Sequence, residues 1–333
     1  MIPNLAINVH QEWEGRAVRD FAAAYGLPEG RVRQALESPP PAPDPGADPV
    51  AWLTLLVRDD GPGPTPYTVR GWLFSPAYPQ GKELLEGRIL PAGDEADLGD
   101  KCNELRRSAF ALYDGPPQKL HVEVFLPEGL LCHEVDQWKL RRDVGDDGLP
   151  FGYEHPLVVR SLSRAEAGMV LNIMSERWQS CCAKNPWYWA ADVPLTEEQF
   201  VKLDRARRVV GVVIASPVAP DAGPGAIPKL RRILSAGVPV LLWLRRVPLP
   251  EPGKLPKSPA DRLRAALKRL APKDARRDLC EGVWKKRNLD YEPEQATEHV
   301  CRNIGLLYDN PGRLPPTLGR RRASGPRGRR VTK

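Results

Sequence analysis

Two apolar runs in the second half of the chain set its fold class. Residues 209–215 and 238–244 consist mostly of Val, Leu and Ile, which is the pattern of strands buried on both faces of a sheet. A helical pattern between them runs from Pro228 to Ala236 and ends at Gly237. Strand, helix and strand in this order predict a right-handed crossover between two parallel strands. The chain is therefore predicted to be an α/β protein with a mainly parallel sheet flanked by helices.

Other stretches predict further strands of this sheet. Residues 51–58 and 67–74 are rich in β-forming residues and are separated by the turn-rich sequence at 61–66, which predicts a hairpin. Leu120–Leu126 alternates between aliphatic residues and others, and Pro127 stops it. Residues 156–160 are a short apolar stretch of the same kind.

Helical spacing of apolar residues predicts the helices that flank the sheet. The capping boxes Ser163–Glu166 and Thr196–Gln199 each open one of them. The others are a helix over 99–112 with Cys102, Leu105, Ala109 and Leu112 on one face, a helix carrying Leu131, Val135 and Trp138, a helix from Ser258 to Leu270, and a last helix carrying Val300, Ile304 and Leu307.

Composition divides the chain into four parts. Residues 1–38 are predicted to form a small all-helical domain, because Gly26 ends one helical pattern and Pro28 opens the next. The proline-rich residues 39–49 form a linker. Residues 50–316 hold the α/β domain, and the basic residues 317–333 are predicted to be a disordered tail.

The net charge of +7 is confined to the C-terminal tail. The chain has 49 basic and 42 acidic residues, and residues 319–333 contain seven of the bases and no acid. The rest of the chain is therefore balanced. A basic tail can touch nucleic acid through screened charge, with little specificity. We predict at most weak nucleic-acid binding by the tail, and a solubilising end is the favoured interpretation.

Other features argue against a membrane, secreted or metal-binding protein. No stretch approaches the ~20 apolar residues of a membrane-spanning helix, and residues 1–14 lack the pattern of a secretory signal. The six cysteines form no CxxC pair and show no spacing typical of a disulfide scaffold. Cysteine and histidine occur together only in pairs, too few for a structural zinc site. We therefore predict a cytoplasmic protein with reduced thiols, no metal and no cofactor.

The N-terminal helices offer DNA binding as an alternative function. Ala22, Gly26 and Val32 have the A-x3-G-x5-V spacing of a helix-turn-helix, in which the glycine permits the turn. The exposed residues of the recognition helix would be Arg31, Arg33 and Gln34. An ordinary helical hairpin explains the same spacing and is the favoured interpretation.

A hydrolase with a site near the loop 216–227 is a second alternative. This loop follows a buried strand, where ligands bind in open α/β sheets. It matches neither of the glycine-rich phosphate-binding motifs, and Asp221 is its only acid. The chain has no sequence signature of a serine or cysteine nucleophile. A crossover loop is therefore favoured, and no residue is predicted to be catalytic.

Five stretches of the chain together carry a family resemblance. They are residues 67–73 (YTVRGWL), 121–127 with 135–138 (HVEVFLP and VDQW), 156–161 with Arg164 and Trp178 (PLVVRS), 237–245 (GVPVLLWLR) and 307–315 (LYDNPGRLP). In order and spacing they resemble the C-terminal domain of vWA–MoxR-associated proteins, a family of bacterial multi-gene conflict, or defence-like, systems. The resemblance covers roughly residues 50–315.

The resemblance implies a regulatory or adaptor module rather than an enzyme. Its implied partners are a protein with a von Willebrand A (vWA) domain and a MoxR-type AAA+ ATPase, with an effector protease as a further candidate. Members of the family often carry an effector domain ahead of this one, whereas only about fifty residues precede the resemblance here. The N-terminal helices are therefore interpreted as a small adaptor domain.

Four charged residues within the resemblance are candidate binding residues, namely Asp136, Arg160, Arg164 and Arg245. Arg160 and Arg245 end apolar strands, and Arg164 begins the helix that follows the first of them. A buried arginine needs an anionic partner. We therefore hypothesise that Asp136 pairs with Arg160 or Arg164 at the C-terminal edge of the sheet. An ion pair that specifies the fold is favoured over a ligand site.

Overall fold

The computed structural model describes residues 51–140, 148–179, 187–190, 196–206, 209–217, 226–245, 261, 263, 275–289, 303–311 and 313–319. All of them belong to the second of the two units into which the chain divides, Pro49–Lys333. The predicted helical domain, the proline-rich linker and the tail beyond residue 319 lie outside the described residues. Within the described part, no helix is long and apolar enough to cross a membrane.

The described strands and helices alternate along much of the chain. The strands are β1 (Ala51–Asp59), β2 (Tyr67–Ser75), β3 (Tyr78–Glu83), β4 (Leu90–Ala92), β5 (Leu120–Leu126), β6 (Lys139–Leu140), β7 (Leu149–Pro150), β8 (Leu157–Ser161), β9 (Trp187–Ala190), β10 (Gly211–Pro217), β11 (Val240–Leu244) and β12 (Ile304–Tyr308). The helices are α1 (Glu95–Phe110), α2 (Phe151–Glu154), α3 (Leu162–Glu166), α4 (Gly168–Gln179), α5 (Glu197–Arg205), α6 (Ala226–Ser235), α7 (Ala275–Leu289) and α8 (Pro316–Gly319).

Ten strands form one mixed sheet in the order β3-β2-β1-β5-β8-β12-β11-β10-β9, with β4 beside β2. The strands β1, β5, β8 and β12 are parallel to one another, and so are β9, β10 and β11. Because β12 and β11 are antiparallel, the two sets run in opposite directions. The predicted α/β class is confirmed, as are the β1–β2 hairpin and the parallel pair β10–β11 around α6.

Both faces of the sheet are buried, which explains the apolar runs of the sequence. On one face, Val122 and Val124 of β5 join a large core that includes Leu105 of α1 and Ile233 of α6. Residues His121, Glu123 and Phe125 alternate with these and therefore lie on the other face. This second face carries two smaller apolar clusters, one under α7 and one that includes Phe125 and Leu318.

Arg177 of α4 is fully buried and joins three helices through backbone hydrogen bonds. Its guanidinium donates to the carbonyl oxygens of Leu203, Asp204, Ala206, Val209 and Ala236 at 2.9, 3.3, 2.7, 3.0 and 3.2 Å. These carbonyls lie at or just beyond the C-terminal ends of α5 and α6, where a cation complements the helix dipole. Arg177 thus stabilises the positions of both helices relative to α4.

Several predicted helices and caps differ from the structure. The predicted last helix is wrong at Ile304 and Leu307, since residues 304–308 form β12 and pair with β11. The predicted helix around Val135 is also wrong, because short 3-10 turns at Glu128–Leu130 and Val135–Gln137 bury the same apolar residues. The Ser163–Glu166 capping box is wrong because the backbone enters the helix two residues earlier, so the Ser161 side chain caps α3.

Other helix predictions are confirmed or lie partly outside the described residues. The Thr196–Gln199 capping box of α5 is confirmed. Helix α1 ends at Phe110, so Leu112 lies beyond it and is exposed rather than on the buried helix face. Of the helix predicted from Ser258 to Leu270, only residues 261 and 263 are described.

Gly305 in β12 lets the indole of Trp243 in β11 lie directly against the strand. The two residues are partners in the register, and a Cβ atom at Gly305 would overlap the Trp243 ring. We expect Gly305→Ala to lower the free energy of unfolding by about 1–3 kcal/mol, because both residues are buried and the ring has to move. Urea denaturation of the purified variant measures the change.

Gly63→Ala is the matched control, because a Cβ atom there would meet no neighbour within 4 Å. It should change the free energy of unfolding by less than about 0.5 kcal/mol. Equal stabilities of the two variants would contradict the close packing at Gly305.

Candidate functional site

The charged residues buried in the sheet form two separate clusters. The Glu123 cluster consists of Glu123, Arg160, Arg164, Asp309 and Arg313, and the Asp136 cluster consists of Asp136, Arg245 and Arg287. All but Arg313 are less than a tenth exposed. Each cluster is described from its strands outward.

The Glu123 cluster begins with a charge pair between neighbouring parallel strands. Glu123 of β5 is paired in register with Val158 of β8, so Arg160 lies two residues further along β8 on the same face. Nη1 of Arg160 donates to Oε2 of Glu123 at 2.9 Å. Arg160 also donates to the carbonyl oxygens of Asn310 and Arg313, which lie in the segment after β12. The strand pair thereby holds the backbone of that segment.

Asp309 connects the end of β12 to the end of β8. Its Oδ1 lies 3.5 Å from Nε of Arg160, and its Oδ2 lies 2.9 Å from Nη1 of Arg164. Its Oδ1 also accepts a hydrogen bond from the backbone N–H of Ser161. Arg164 in turn donates to the carbonyl oxygen of Val238 at 2.6 Å. These bonds fix the start of α3 against the sheet.

Burial and charge oppose each other at the two carboxylates of this cluster. Burial disfavours the ionised form of Glu123, but Arg313 and Arg160 outweigh it and hold the pKa of Glu123 below its ordinary value. At Asp309 burial outweighs the attraction of Arg164 and Arg160, so the pKa of Asp309 is raised. The paired guanidiniums therefore secure the charge of Glu123 more firmly than that of Asp309.

Arg313 completes the cluster from outside the sheet. Its guanidinium ion-pairs with Oε1 of Glu123 through Nε and Nη2. The same guanidinium lies 3.4 Å from the centre of the Trp52 ring in β1, which is a stacked cation–π contact. The Arg313 side chain is 20% exposed, whereas the Glu123 side chain is fully buried.

Neutral polar groups lie beside this cluster on the same face. The His121 ring contacts the Trp52 ring edge-on at 4.6 Å, and its Nδ1 makes no hydrogen bond. Burial, aided by Arg313, lowers the pKa of His121 to about 4, so the ring is uncharged at neutral pH. The Thr54 hydroxyl, in register with Glu123, is also buried without a hydrogen-bond partner.

The Asp136 cluster lies where β11 ends. Oδ1 of Asp136 ion-pairs with Arg245, the residue after β11, and Oδ2 lies 3.3 Å from Nη2 of Arg287 in α7. The Gln137 side chain donates to Oδ2 at 3.1 Å. Burial alone would raise the pKa of Asp136, but Arg245 and Arg287 lower it to about 2. Arg287 also donates to the carbonyl oxygen of Ile304, so the cluster connects α7 to the first residue of β12.

The hypothesis that Asp136 pairs with Arg160 or Arg164 is therefore wrong. All four predicted residues are buried, but the structure places Asp136 with Arg245 in one cluster and Arg160 with Arg164 in the other. The physical reason is the reversal of strand direction between β8 and β11. Because β11 runs opposite to β8, the C-terminal end of β11 lies on the side of the sheet where β8 begins, away from the C-terminal end of β8.

The partners of these residues were not predicted from the sequence. Glu123, Asp309, Arg287 and Arg313 complete the two clusters, and only Glu123 leaves a signal, as a charged residue inside an otherwise apolar strand. Its charge on a strand buried on both faces requires a buried cation.

The described cysteines are buried and protonated. Burial raises the pKa of Cys132 to about 11 and that of Cys280 to about 12, and it also raises the pKa of Cys102. Cys280 of α7 and His121 both feel the charges of Glu123 and Arg313, but both are uncharged at neutral pH. They therefore do not form the thiolate–imidazolium pair of a cysteine nucleophile.

We expect Cys102, Cys132 and Cys280 to resist alkylation by iodoacetamide in the native protein at pH 8. Their rates should be at least about 100-fold lower than in denaturant, since the thiolate fraction is small and the sulfurs are buried. Mass spectrometry of tryptic peptides measures each site separately. Fast native labelling of Cys280 would contradict the raised pKa and would favour a nucleophilic role.

A family model decides the relationship of this chain to known proteins. The model of the vWA-MoxR associated protein C-terminal domain matches residues 65–311, more than half of the chain. The chain belongs to this family. No curated protein and no solved structure gave a significant match.

The vWA-MoxR associated C-terminal domain contains both buried clusters, apart from Arg313. The match begins before β2 and ends after β12, so it includes the strands that carry Glu123 and Arg160 and the residues Asp136, Arg245 and Asp309. Arg313 lies two residues past the match.

The remaining site predictions for this vWA-MoxR associated domain protein fall outside the described structure. Arg31, Arg33 and Gln34 of the alternative DNA-binding interpretation lie outside it, and so do residues 218–225 of the 216–227 loop. Both alternatives stay predictions. Among the described residues, no group of three or more His, Cys, Asp or Glu side chains could hold a metal ion.

Proposed function

We propose that the chain is a non-enzymatic regulatory or adaptor module of a bacterial NTP-dependent conflict system. It works in the cytoplasm through contacts with a vWA-domain protein and a MoxR-type AAA+ ATPase, and an effector protease is a further proposed partner. The observation that carries this proposal is the match of residues 65–311 to a domain named for its association with vWA and MoxR proteins.

The ion pairs of Glu123 and Asp136 support an adaptor rather than a catalyst. A carboxylate that exchanges protons in catalysis needs a pKa near the working pH. The pKa of Asp136 is lowered to about 2 and that of Glu123 is lowered as well, because each is ion-paired with two arginines. These groups stay charged and hold secondary-structure elements together. A rigid body of this kind suits a protein that presents fixed surfaces to partners.

The test combines the purified full-length chain with the vWA protein and the MoxR-type ATPase of the same gene cluster. We expect a complex in size-exclusion chromatography with light scattering, with a Kd below about 10 µM by calorimetry. We also expect the ATPase rate to change at least about twofold, since an adaptor alters the equilibrium between ATPase states. The chain alone should release no phosphate from ATP.

A MoxR-type ATPase from an unrelated gene cluster is the specificity control and should not bind. Failure of the chain to bind either cognate protein would refute the adaptor role. Turnover of ATP by the chain alone would refute the non-enzymatic part of the proposal.

A further inference from the structure

The side chain of Arg313 fills a slot whose walls belong to the sheet. Trp52 and Glu123 lie on neighbouring parallel strands, with Trp52 opposite His121 and Thr54 opposite Glu123. Both strands are held by neighbours on each side, so the slot is built on rigid elements. Its occupant, Arg313, comes from the described residues 309–311 and 313–319, which follow the last described strand. We call the pair Trp52 and Glu123 the arginine slot.

The arginine slot has the chemistry that recognises a guanidinium. The Trp52 ring offers a flat, electron-rich face, and Arg313 stacks on it at 3.4 Å. Oε1 of Glu123 accepts a hydrogen bond from Nε of the same guanidinium and also lies in ion-pair contact with its Nη2, a two-point contact that suits a planar guanidinium. An ammonium group would keep the charge but lose the stack on the Trp52 ring.

The buried charges beneath the slot are balanced without Arg313. Glu123 and Asp309 carry two negative charges, and Arg160 and Arg164 carry two positive charges. Removing Arg160 or Arg164 would leave a carboxylate short of its buried partner. Removing the Arg313 side chain leaves Glu123 paired with Arg160. Arg313 is also the most exposed member of the Glu123 cluster, at 20%.

The segment itself stays attached when this side chain leaves. Arg160 binds the carbonyl oxygens of Asn310 and Arg313, which do not depend on the Arg313 side chain. Leu314 and Leu318 pack against the cluster that contains Leu56 and Phe125. The guanidinium can therefore swing out while the backbone remains on the sheet.

We propose that the arginine slot is a recognition site for an arginine side chain of a partner protein, and that Arg313 occupies it until the partner's arginine replaces it. The partner segment presents an exposed arginine, because the slot offers one stacking face and one carboxylate. This inference rests on the proposed adaptor function and names the contact through which it works.

The test uses full-length Arg313→Ala, in which the slot is empty. The probe is N-acetyl-arginine amide, and N-acetyl-citrulline amide is its uncharged control. Binding is followed through the indole N–H resonance of Trp52, assigned with Trp52→Phe. We expect the arginine probe to bind Arg313→Ala at least about tenfold more tightly than the unmodified chain, since Arg313 no longer competes. The citrulline probe should not shift this resonance.

Each other outcome overturns the proposal. Equal binding of the citrulline and arginine probes would mean an unspecific hole, and no binding by folded Arg313→Ala would mean that the slot does not recognise arginine. Arg313→Ala should keep a cooperative thermal transition within about 5 °C of the unmodified chain. Loss of that transition would make Arg313 part of the fold rather than an exchangeable occupant.

The slot test contains neither the vWA protein nor the ATPase, so its failure is distinct from failure of the adaptor function. If the arginine probe binds but the cognate proteins do not, arginine recognition by the slot is supported and the adaptor role is refuted. If the arginine probe and the cognate proteins both bind, Arg313→Ala should bind its protein partner about tenfold more tightly than the unmodified chain does. Unchanged partner affinity would show that the partner does not use the slot.

Discussion

Arg177→Met is expected to lower the free energy of unfolding by about 3–5 kcal/mol, because several backbone carbonyl oxygens lose a charged hydrogen-bond donor. The guanidinium is fully buried and donates to five backbone carbonyls around the ends of α5 and α6. Methionine fills part of the space but offers no donor, so these carbonyl oxygens lose the guanidinium as a hydrogen-bond partner. Guanidinium chloride denaturation followed by circular dichroism measures the loss.

Arg205→Met is the matched control for this prediction. Arg205 is the last residue of α5 and is exposed, so the same change of side chain removes no buried hydrogen bond. It should alter the free energy of unfolding by less than about 0.5 kcal/mol. If Arg177→Met and Arg205→Met have similar stabilities, the hydrogen bonds of Arg177 do not stabilise the helix ends.

Asp136→Asn is expected to cost about 3–5 kcal/mol at neutral pH, because it leaves Arg245 and Arg287 without the carboxylate that both contact. Asparagine has nearly the same shape, so the change removes charge rather than volume. Chemical denaturation at pH 7 measures the difference from the unmodified chain. Asp114→Asn, at an exposed position, is the control and should be neutral.

The cost of Asp136→Asn should also depend on pH. In the folded protein the pKa of Asp136 is about 2, below the ordinary 3.8, so the carboxylate contributes stability that is fully present above about pH 4. This contribution, about 2 kcal/mol, is lost as the pH falls from about 4 to 2. The difference between the two proteins should shrink over that range. A difference that stays constant down to pH 2 would contradict the lowered pKa.

Local patterns predicted the strands whose identity does not depend on distant partners. The β1–β2 hairpin has a turn sequence between two β-rich runs, and the β10–α6–β11 unit has two apolar runs around a helix that ends at Gly237. The segment 304–308 was mispredicted because Ile304 and Leu307 satisfy helical spacing as well as a short apolar strand does. Residues 304–308 form a strand because they pair with β11 and β8, which are distant in the sequence.

Four of the eight cluster members were predicted from the sequence, but their pairing was not. Positions at the ends of apolar strands indicated burial for Arg160 and Arg245, and both are buried. The pairing of carboxylates with arginines depends on strand order and direction. Strand β12 lies between β8 and β11, and β9, β10 and β11 run opposite to it. Arg313 lies beyond the strands and gave no periodic signal.

The position of β12 has a consequence for synthesis of the protein on the ribosome. This strand is the last of the described strands to be translated, yet it lies between β8 and β11 and joins the two oppositely directed sets. Until it emerges, the nascent chain carries two half-sheets, each with an apolar strand as an open edge. We therefore expect ribosome-bound chains that end before residue 304 to need chaperone protection.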